Sequence, residues 1–331
     1  MAAMPGTPRP PFRLALLAPR HWPAWVGVGA MWLAAHLPGR WPWRLGRLLG
    51  LVAMHIHNKR RGIAERNIAL CFPERDAATR RRLLDAHMRD MGMMLMEFTV
   101  GWLASDRKVA RIPARIEGLE HLRAAHADGR GVLLVGGHFS HLELCARLVS
   151  QRIPIAGMYR RMDSDVFEWV VLRSRLGYAR AMFDKDDLRG TVKYLRAGGT
   201  LWYAPDQDMR SKDNVFVPFF GEPAATITAT HHLARLGKAR VIPFFHRRLA
   251  DDSYVLRLGA PLEPFPTADV SADTARVNQA IEAMVREAPE QYLWVHKRFK
   301  TRPEGAAPVY VRKTGGGERV DRDPGPGTRD P

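Results

Sequence analysis

The sequence predicts an α/β protein with a largely parallel central sheet flanked by helices, preceded by an N-terminal membrane-associated helical segment. From about residue 131 onward, short β-branched and aromatic runs alternate with amphipathic helical stretches. Gly, Pro or Asp marks most of the switches between them. Ahead of that alternation, the first 60 residues concentrate tryptophan and leucine instead of a mixed surface.

The elements follow in chain order. Trp22 to Leu37 is a run of 16 residues with no Lys, Arg, Asp or Glu. As a helix it reaches about 24 Å, short of a hydrocarbon core of roughly 30 Å. Trp22, Trp25, Trp32, Trp41 and Trp43 cluster at and around it, as at membrane interfaces. In "WRLGRLLGLVAMHIH", Leu45, Leu48, Leu49, Val52 and Ile56 repeat at helical spacing with Arg44 and Arg47 between them, the pattern of an interfacial helix. Three arrangements fit: one short or tilted anchor, two helices lying in the interface, or a cleaved signal peptide. The last lacks a small-x-small site. Arg40, Arg44, Arg47, Lys59, Arg60 and Arg61 follow the run, whereas only Arg9, Arg13 and Arg20 precede it. The positive-inside rule then puts the body of the protein in the cytoplasm.

Asp76 to Leu103 is helical in pattern, with Leu84, Met88, Met91 and Leu95 on one face. Met91, Met93, Met94 and Met96 make it soft, suited to filling gaps in a core or to meeting an acyl chain. Strands are expected at "GVLLV", "PIAGMYR", "ARAMF", "TLWYA", "VFVPFF", "RVIPFF" and "SYVLRL". Helices are expected at "HLELCARLVS", "SDVFEWVVLRSRLG", "DDLRGTVKYLRAGG", "TITATHHLARLG" and "TARVNQAIEAMVREA". The tail, with Gly315 to Gly317, several Pro and many charges, is expected to be disordered. The expected organisation is an N-terminal segment over residues 1–60, one domain over 61–305, and a tail over 306–331.

Composition narrows the function. Apolar residues make up 46% of the 331, enough for a sizeable core. Lys and Arg number 51 against 34 Asp and Glu, a formal charge of +17 that attracts nucleic acid, anionic membrane or an acidic protein. A coding bias would explain the preference for Arg over Lys, but not the net charge. A nucleic-acid reader would show aromatic residues interleaved with a basic groove, or a known reading helix, and neither is present. Cys71 and Cys145 are the only cysteines, so nothing suggests a disulfide framework or a CxxC metal site, and a reduced compartment is the natural reading.

The stretch "GVLLVGGHFSHLELCARLVS" carries the strongest chemical signal. In one continuous helix, His138 and Glu143 would lie about 140° apart and would not meet. They meet if Gly136-Gly137 ends a strand, His138 sits in the turn, and Glu143 falls in the first turn of the next helix. A carboxylate there would orient the imidazole and stabilise its charged form, as a general base requires. Open α/β sheets place their sites in such turns. The bland alternative is a capping histidine beside a glutamate that suits the helix dipole. Ser140 lacks a G-x-S-x-G elbow, and neither an H-E-x-x-H order nor a Gly-Lys-Ser/Thr phosphate loop occurs.

The H-x-x-x-x-E of "HFSHLE" resembles the first signature of the lipid A biosynthesis acyltransferases (lauroyl and myristoyl), within the lysophospholipid acyltransferase superfamily. "GMYRRMDSDVFEWV", "LWYAPDQD", "VFVPFFGEPAAT" and "APEQYLWVHKRFKTRPEG" are similar to later blocks of that family, and the resemblance spans about Trp22 to Gly305. It implies a glycerolipid-acyltransferase-like fold and an enzyme on the cytoplasmic side of the bacterial inner membrane. That enzyme would move an acyl group from acyl–acyl carrier protein to the hydroxyl of a 3-hydroxyacyl chain on a di-Kdo lipid IVA-type precursor. His138 would take the hydroxyl proton and Glu143 would orient it. Arg175, Asp206 and Arg160 are carried over as substrate-binding: the arginines for lipid phosphate or the carrier's phosphopantetheine, Asp206 for shaping the acceptor pocket. No cofactor, metal or covalent acyl-enzyme is implied. The partners are the acyl carrier protein, the lipid A precursor and the anionic membrane surface, with no nucleic acid. Other acceptors remain open, namely a lysophospholipid, an ornithine lipid or another glycolipid. So does a non-enzymatic basic protein binding membrane or nucleic acid.

Overall fold

A computed structural model describes residues 6–56, 58–209, 211, 213–314 and 317–320. Helix α1 (Trp22–His36) and helix α2 (Trp41–His55) come first, followed by α3 (Lys59–Cys71), the long α4 (Ala77–Leu103) and the single turn α5 (Asp106–Val109). The alternating part runs β1 (Ala114–Glu117), α6 (Leu119–Ala127), β2 (Val132–Val135), α7 (Leu142–Ser150), β3 (Ile155–Tyr159), α8 (Asp165–Tyr178), β4 (Ala181–Asp184), α9 (Leu188–Arg196) and β5 (Thr200–Tyr203). A hairpin of β6 (Asn214–Phe219) and β7 (Glu222–Ile227) precedes α10 (Ala229–Gly237), β8 (Arg240–Arg248), β9 (Tyr254–Leu258) and α11 (Val270–Glu287). Strands β10 (Val311–Thr314) and β11 (Gly317–Val320) pair inside the stretch read as a tail, whose residues 321–331 lie outside the described residues.

The central sheet has seven strands in the order β1-β9-β8-β2-β5-β3-β4. All neighbours are parallel except the β8–β9 hairpin. Strand β2 lies in the middle and is buried on both faces, which explains its unbroken "VLLV". Leu133 and Val135 join the core under α3, α10 and α11, while Val132 and Leu134 face the core under α6 and α7. The expected strands are all present. The expected helix over Thr226 to Gly237 starts later, at Ala229, because Thr226 and Ile227 complete the β6–β7 hairpin. Buried Asn278 and Arg298 both donate to Thr226 Oγ1 and hold it there.

Helix α2 is fixed to α4 by direct backbone contact. A Cβ on Gly92 would come within 2.1 Å of the Gly50 nitrogen and 2.5 Å of the Gly46 carbonyl oxygen, so only glycine permits this crossing. Met93 and Met96 pack around Gly46, so these two of the soft methionines serve a helix–helix seam. The expected apolar face of α4 holds for Leu84 and Met88, but Leu95 is 49% exposed. Its neighbours two and one positions away turn instead toward α2. Helix α2 presents Leu48, Leu51 and Val52 to the surface, with Ile56 just past its end, and α1 presents Trp22, Val26, Trp32 and Leu33. Among the described residues, no helix is long and apolar enough to cross a membrane.

Candidate active site

The site lies at the C-terminal edge of β2 and its neighbour β5. Gly136 continues past β2 beside the Phe244 carbonyl, where a Cβ would come within 2.6 Å of that oxygen. Close backbone approach there requires glycine. The chain then turns through His138 to His141 before α7 begins at Leu142. This turn is pinned from outside: Leu293 N–H donates to the His138 carbonyl at 2.9 Å, and Ser140 N–H donates to the Gln291 carbonyl at 2.8 Å. Gln291 also brackets the Arg248 backbone with both side-chain ends, at 3.0 Å each, and so ties the turn to the end of β8. The "APEQYLW" block is therefore a clamp on the His138 turn.

Asp206, just past β5, is 1% exposed and holds His138 twice. Its Oδ1 lies 2.5 Å from the imidazole Nδ1, and its Oδ2 accepts the His138 backbone N–H at 2.8 Å. The Tyr292 hydroxyl adds a third hydrogen bond to this carboxylate. Burial alone would raise the Asp206 pKa, but the charge and hydrogen bonds of His138 outweigh it and bring it down to about 2. Burial disfavours the charged imidazole, yet the Asp206 carboxylate, with Glu143 adding, lifts the His138 pKa above the ordinary value. With Nδ1 taken, Nε2 is the nitrogen left for chemistry, and the His138 side chain is 28% exposed.

This arrangement corrects one expectation. The carboxylate that orients His138 is Asp206, not Glu143. Glu143 does lie in the first turn of α7, but both of its oxygens are engaged elsewhere. Oε1 pairs with Arg175 Nη2, and Oε2 accepts from Arg175 Nε at 3.2 Å and from Trp102 Nε1 at 2.7 Å. Glu143 thus acts on His138 through its field while it anchors Arg175, which reaches in from the last turn of α8. Arg160 is not brought into this group. It lies at the surface and pairs with Asp163 at 2.9 Å.

Sequence reasoning missed Trp102, Tyr292, Gln291 and His296. Trp102 comes from α4, about forty positions from Glu143, and nothing in its spacing pointed to it. The others lie inside the C-terminal block that the resemblance had singled out as a block without giving its residues roles. His296 accepts the Asp208 backbone N–H at 3.1 Å, and Asp208 in turn receives Thr301 N–H at 2.6 Å and Thr301 Oγ1–H at 2.9 Å. Asp206 and Asp208 of "PDQD" therefore lace the His138 turn and the C-terminal block together. Below this site His141, Cys145 and His246 converge, with ligand-capable atoms within 4.8 Å of one another. His141 Nε2 donates to the His246 carbonyl at 2.9 Å, and burial pushes the His141 pKa down to about 3. A neutral, braced imidazole is what that geometry makes.

A histidine held at Nδ1 by a buried carboxylate, with Nε2 open at the C-terminal edge of a parallel sheet, is an arrangement able to accept a proton, in the place where α/β enzymes carry their sites. Residues 9–301 match the family of bacterial lipid A biosynthesis acyltransferases, and the chain belongs to that family. It is therefore an acyltransferase of lipopolysaccharide biosynthesis that acts on a lipid A precursor. The chain is 42% identical over 303 residues to the lipid A biosynthesis lauroyltransferase of Escherichia coli K12, covering 91% of this chain and 99% of that one. It is 38% identical over 306 residues to the palmitoleoyltransferase of the same organism (92% and 99% covered) and 30% identical over 319 residues to its myristoyltransferase (92% and 95%). A crystal structure of the 1-acyl-sn-glycerophosphate acyltransferase from Thermotoga maritima aligns with TM-score 0.37 at 13% identity, covering 73% of this chain and 98% of that one. That likeness is too distant to carry weight.

Proposed function

We propose that this enzyme transfers a fatty acyl group from acyl–acyl carrier protein to the hydroxyl of a 3-hydroxyacyl chain on a di-Kdo lipid IVA-type precursor, at the cytoplasmic face of the inner membrane. The observation that carries the reading is the His138–Asp206 pair. With Asp206 accepting from Nδ1–H, Nε2 presents its lone pair and takes the proton as the acceptor oxygen attacks the thioester carbon. The charged imidazole that forms faces Asp206 directly and the field of Glu143 behind it. It then returns the proton to the departing thiolate, so the bonds formed and broken balance without an acyl-enzyme.

Arg175 has Nη1 left after its pairing with Glu143, and we assign it to a phosphate of the lipid or of the carrier's phosphopantetheine. A narrow apolar cavity of about 50 Å3 adjoins that ion pair, walled by Gly157, Met158, Met182 and Trp202. It suits the first methylenes of an acyl chain and would open further as the chain enters. The exposed tryptophans and leucines of α1 and α2 suit helices lying in the lipid interface, where an acceptor that never leaves the membrane is within reach. The test is lipid A mass spectrometry from cells with and without the protein, alongside purified His138→Ala. The wild-type protein should add one acyl mass at one position, and His138→Ala should lose roughly 10²- to 10⁴-fold in kcat. Near-normal turnover by that variant would end the general-base assignment.

A further inference from the structure

A roomy cleft lies away from His138. It has a volume of about 640 Å3 and lies between the α1–α2 turn, the α4–α5 turn and the β8–β9 turn. Four cationic side chains line it, Arg40, Arg107, Lys108 and Arg111, against the two carboxylates Asp251 and Asp252. Both carboxylates are already engaged. Asp252 receives Arg40 and Arg47 at 2.5 Å each, and Asp251 Oδ1 receives Ser253 N–H at 3.1 Å and Oγ–H at 2.6 Å. Lys108 Nζ is spent on the carbonyls of Ala35 and Leu37, which fixes the wall of the cleft. The guanidinium groups of Arg107 and Arg111 are exposed and have no hydrogen bond or ion pair among the described residues. An excess of cationic charge thus lines this cleft.

The surroundings say what would fill it. The last turn of α1 exposes Trp32 and Leu33, and Trp41 opens α2 beside the cleft with Arg44 stacked over its ring at 5.2 Å. Tryptophans and stacked arginines of this kind sit at the headgroup level of a bilayer. We infer that the cleft is a docking site for the phosphate headgroup of an anionic phospholipid, separate from the acyl-transfer site. Arg107 and Arg111 would contact the phosphate. The inference rests on the reading of α1 and α2 as interfacial helices. Its effect is to set the protein's height and tilt on the membrane by a specific contact, beyond the general attraction of its basic surface.

The test uses the full chain and flotation with vesicles of phosphatidylcholine, with and without added phosphatidylglycerol. Arg107→Gln with Arg111→Gln should weaken binding to the anionic vesicles by about fivefold per arginine, roughly 25-fold for the pair. Binding to neutral vesicles and turnover in detergent micelles should not change. Arg123→Gln with Arg189→Gln removes the same formal charge from exposed sites on α6 and α9, and should cost much less. An equal loss in that control, or no loss in the first pair, overturns the site. Saturable binding of inorganic phosphate without vesicles, lost in the Arg107→Gln, Arg111→Gln pair while binding to anionic vesicles is unchanged, would mean that the cleft takes a soluble phosphate and would overturn it too. A raised KM for the acyl carrier with unchanged vesicle binding would assign the arginines to an acidic protein instead. A wild-type protein that binds neutral and anionic vesicles alike defeats this inference alone. One that binds neither defeats the interfacial reading with it.

Discussion

Replacing Asp206 with asparagine isolates what the carboxylate does for His138. Asp206 accepts two donors from that residue, the backbone N–H at 2.8 Å and Nδ1–H at 2.5 Å. An asparagine has one acceptor oxygen. If the oxygen takes the backbone N–H, the amide NH2 faces Nδ1 and forces the imidazole proton onto Nε2, the wrong tautomer for a base. If the oxygen takes Nδ1–H, two buried N–H groups face each other at a cost of about 1–3 kcal/mol. The inactive tautomer is therefore favoured. A second loss is the stabilisation of the charged ring. Asp206 stays ionised despite its burial because it faces that ring, and a hydrogen bond to a charged group is worth about 1.5–3 kcal/mol, or roughly 10- to 150-fold. Together the two effects predict a fall in kcat of roughly 10²- to 10⁴-fold, measured with purified enzyme and a defined acyl donor. The acid limb of kcat/KM should also move. In the wild type it lies above the ordinary imidazole value, because a raised pKa keeps His138 protonated, and inactive as a base, to higher pH. In Asp206→Asn it should shift to lower pH. A folded variant with less than a tenfold loss in kcat, or an unmoved acid limb, would refute the assignment of Asp206 as the partner of His138.

Glu143→Ala should destabilise the fold as well as impair turnover. It strands a largely buried Arg175 and an indole N–H, at about 3–5 kcal/mol in chemical denaturation. Glu143→Gln should be the milder change, since the amide oxygen still accepts one of those donors; equal stability of Glu143→Ala and wild type would remove the anchoring role. Gly92→Ala should cost about 1–3 kcal/mol by forcing α2 off α4, and an unchanged denaturation midpoint would show the seam to be looser than the backbone contact implies. Gly157→Val should shorten the preferred acyl chain, because a Cβ there already meets Met182 Cε at 3.1 Å; an unchanged donor preference would place the chain elsewhere.

Much of the fold was legible because burial leaves a local trace. A central strand buried on both faces reads as "VLLV", and a helix with one buried face reads as a 3.6-residue period. Leu95 shows where such traces fail. It sits at the right spacing for the face of α4, but which side is buried was settled by α2 docking through Gly46, Gly50 and Gly92. The strand β1 was missed because its residues are exposed or half-buried and its partner, β9, lies far along the chain.

The site divides the same way. The sequence by itself determined the family and the turn that carries His138, since Gly136-Gly137, His138 and Glu143 fall within eight residues and their spacing has direct geometric meaning. Only the tertiary structure decided which carboxylate holds His138. Asp206 stands 68 positions away, and it reaches Nδ1 because β5 pairs beside β2 and both strands end at the same edge. Glu143, five residues from His138, is drawn off by Arg175 and Trp102, which arrive from α8 and α4. A short sequence separation allows a pairing, but competition among buried charges brought together by packing settles which pairing forms.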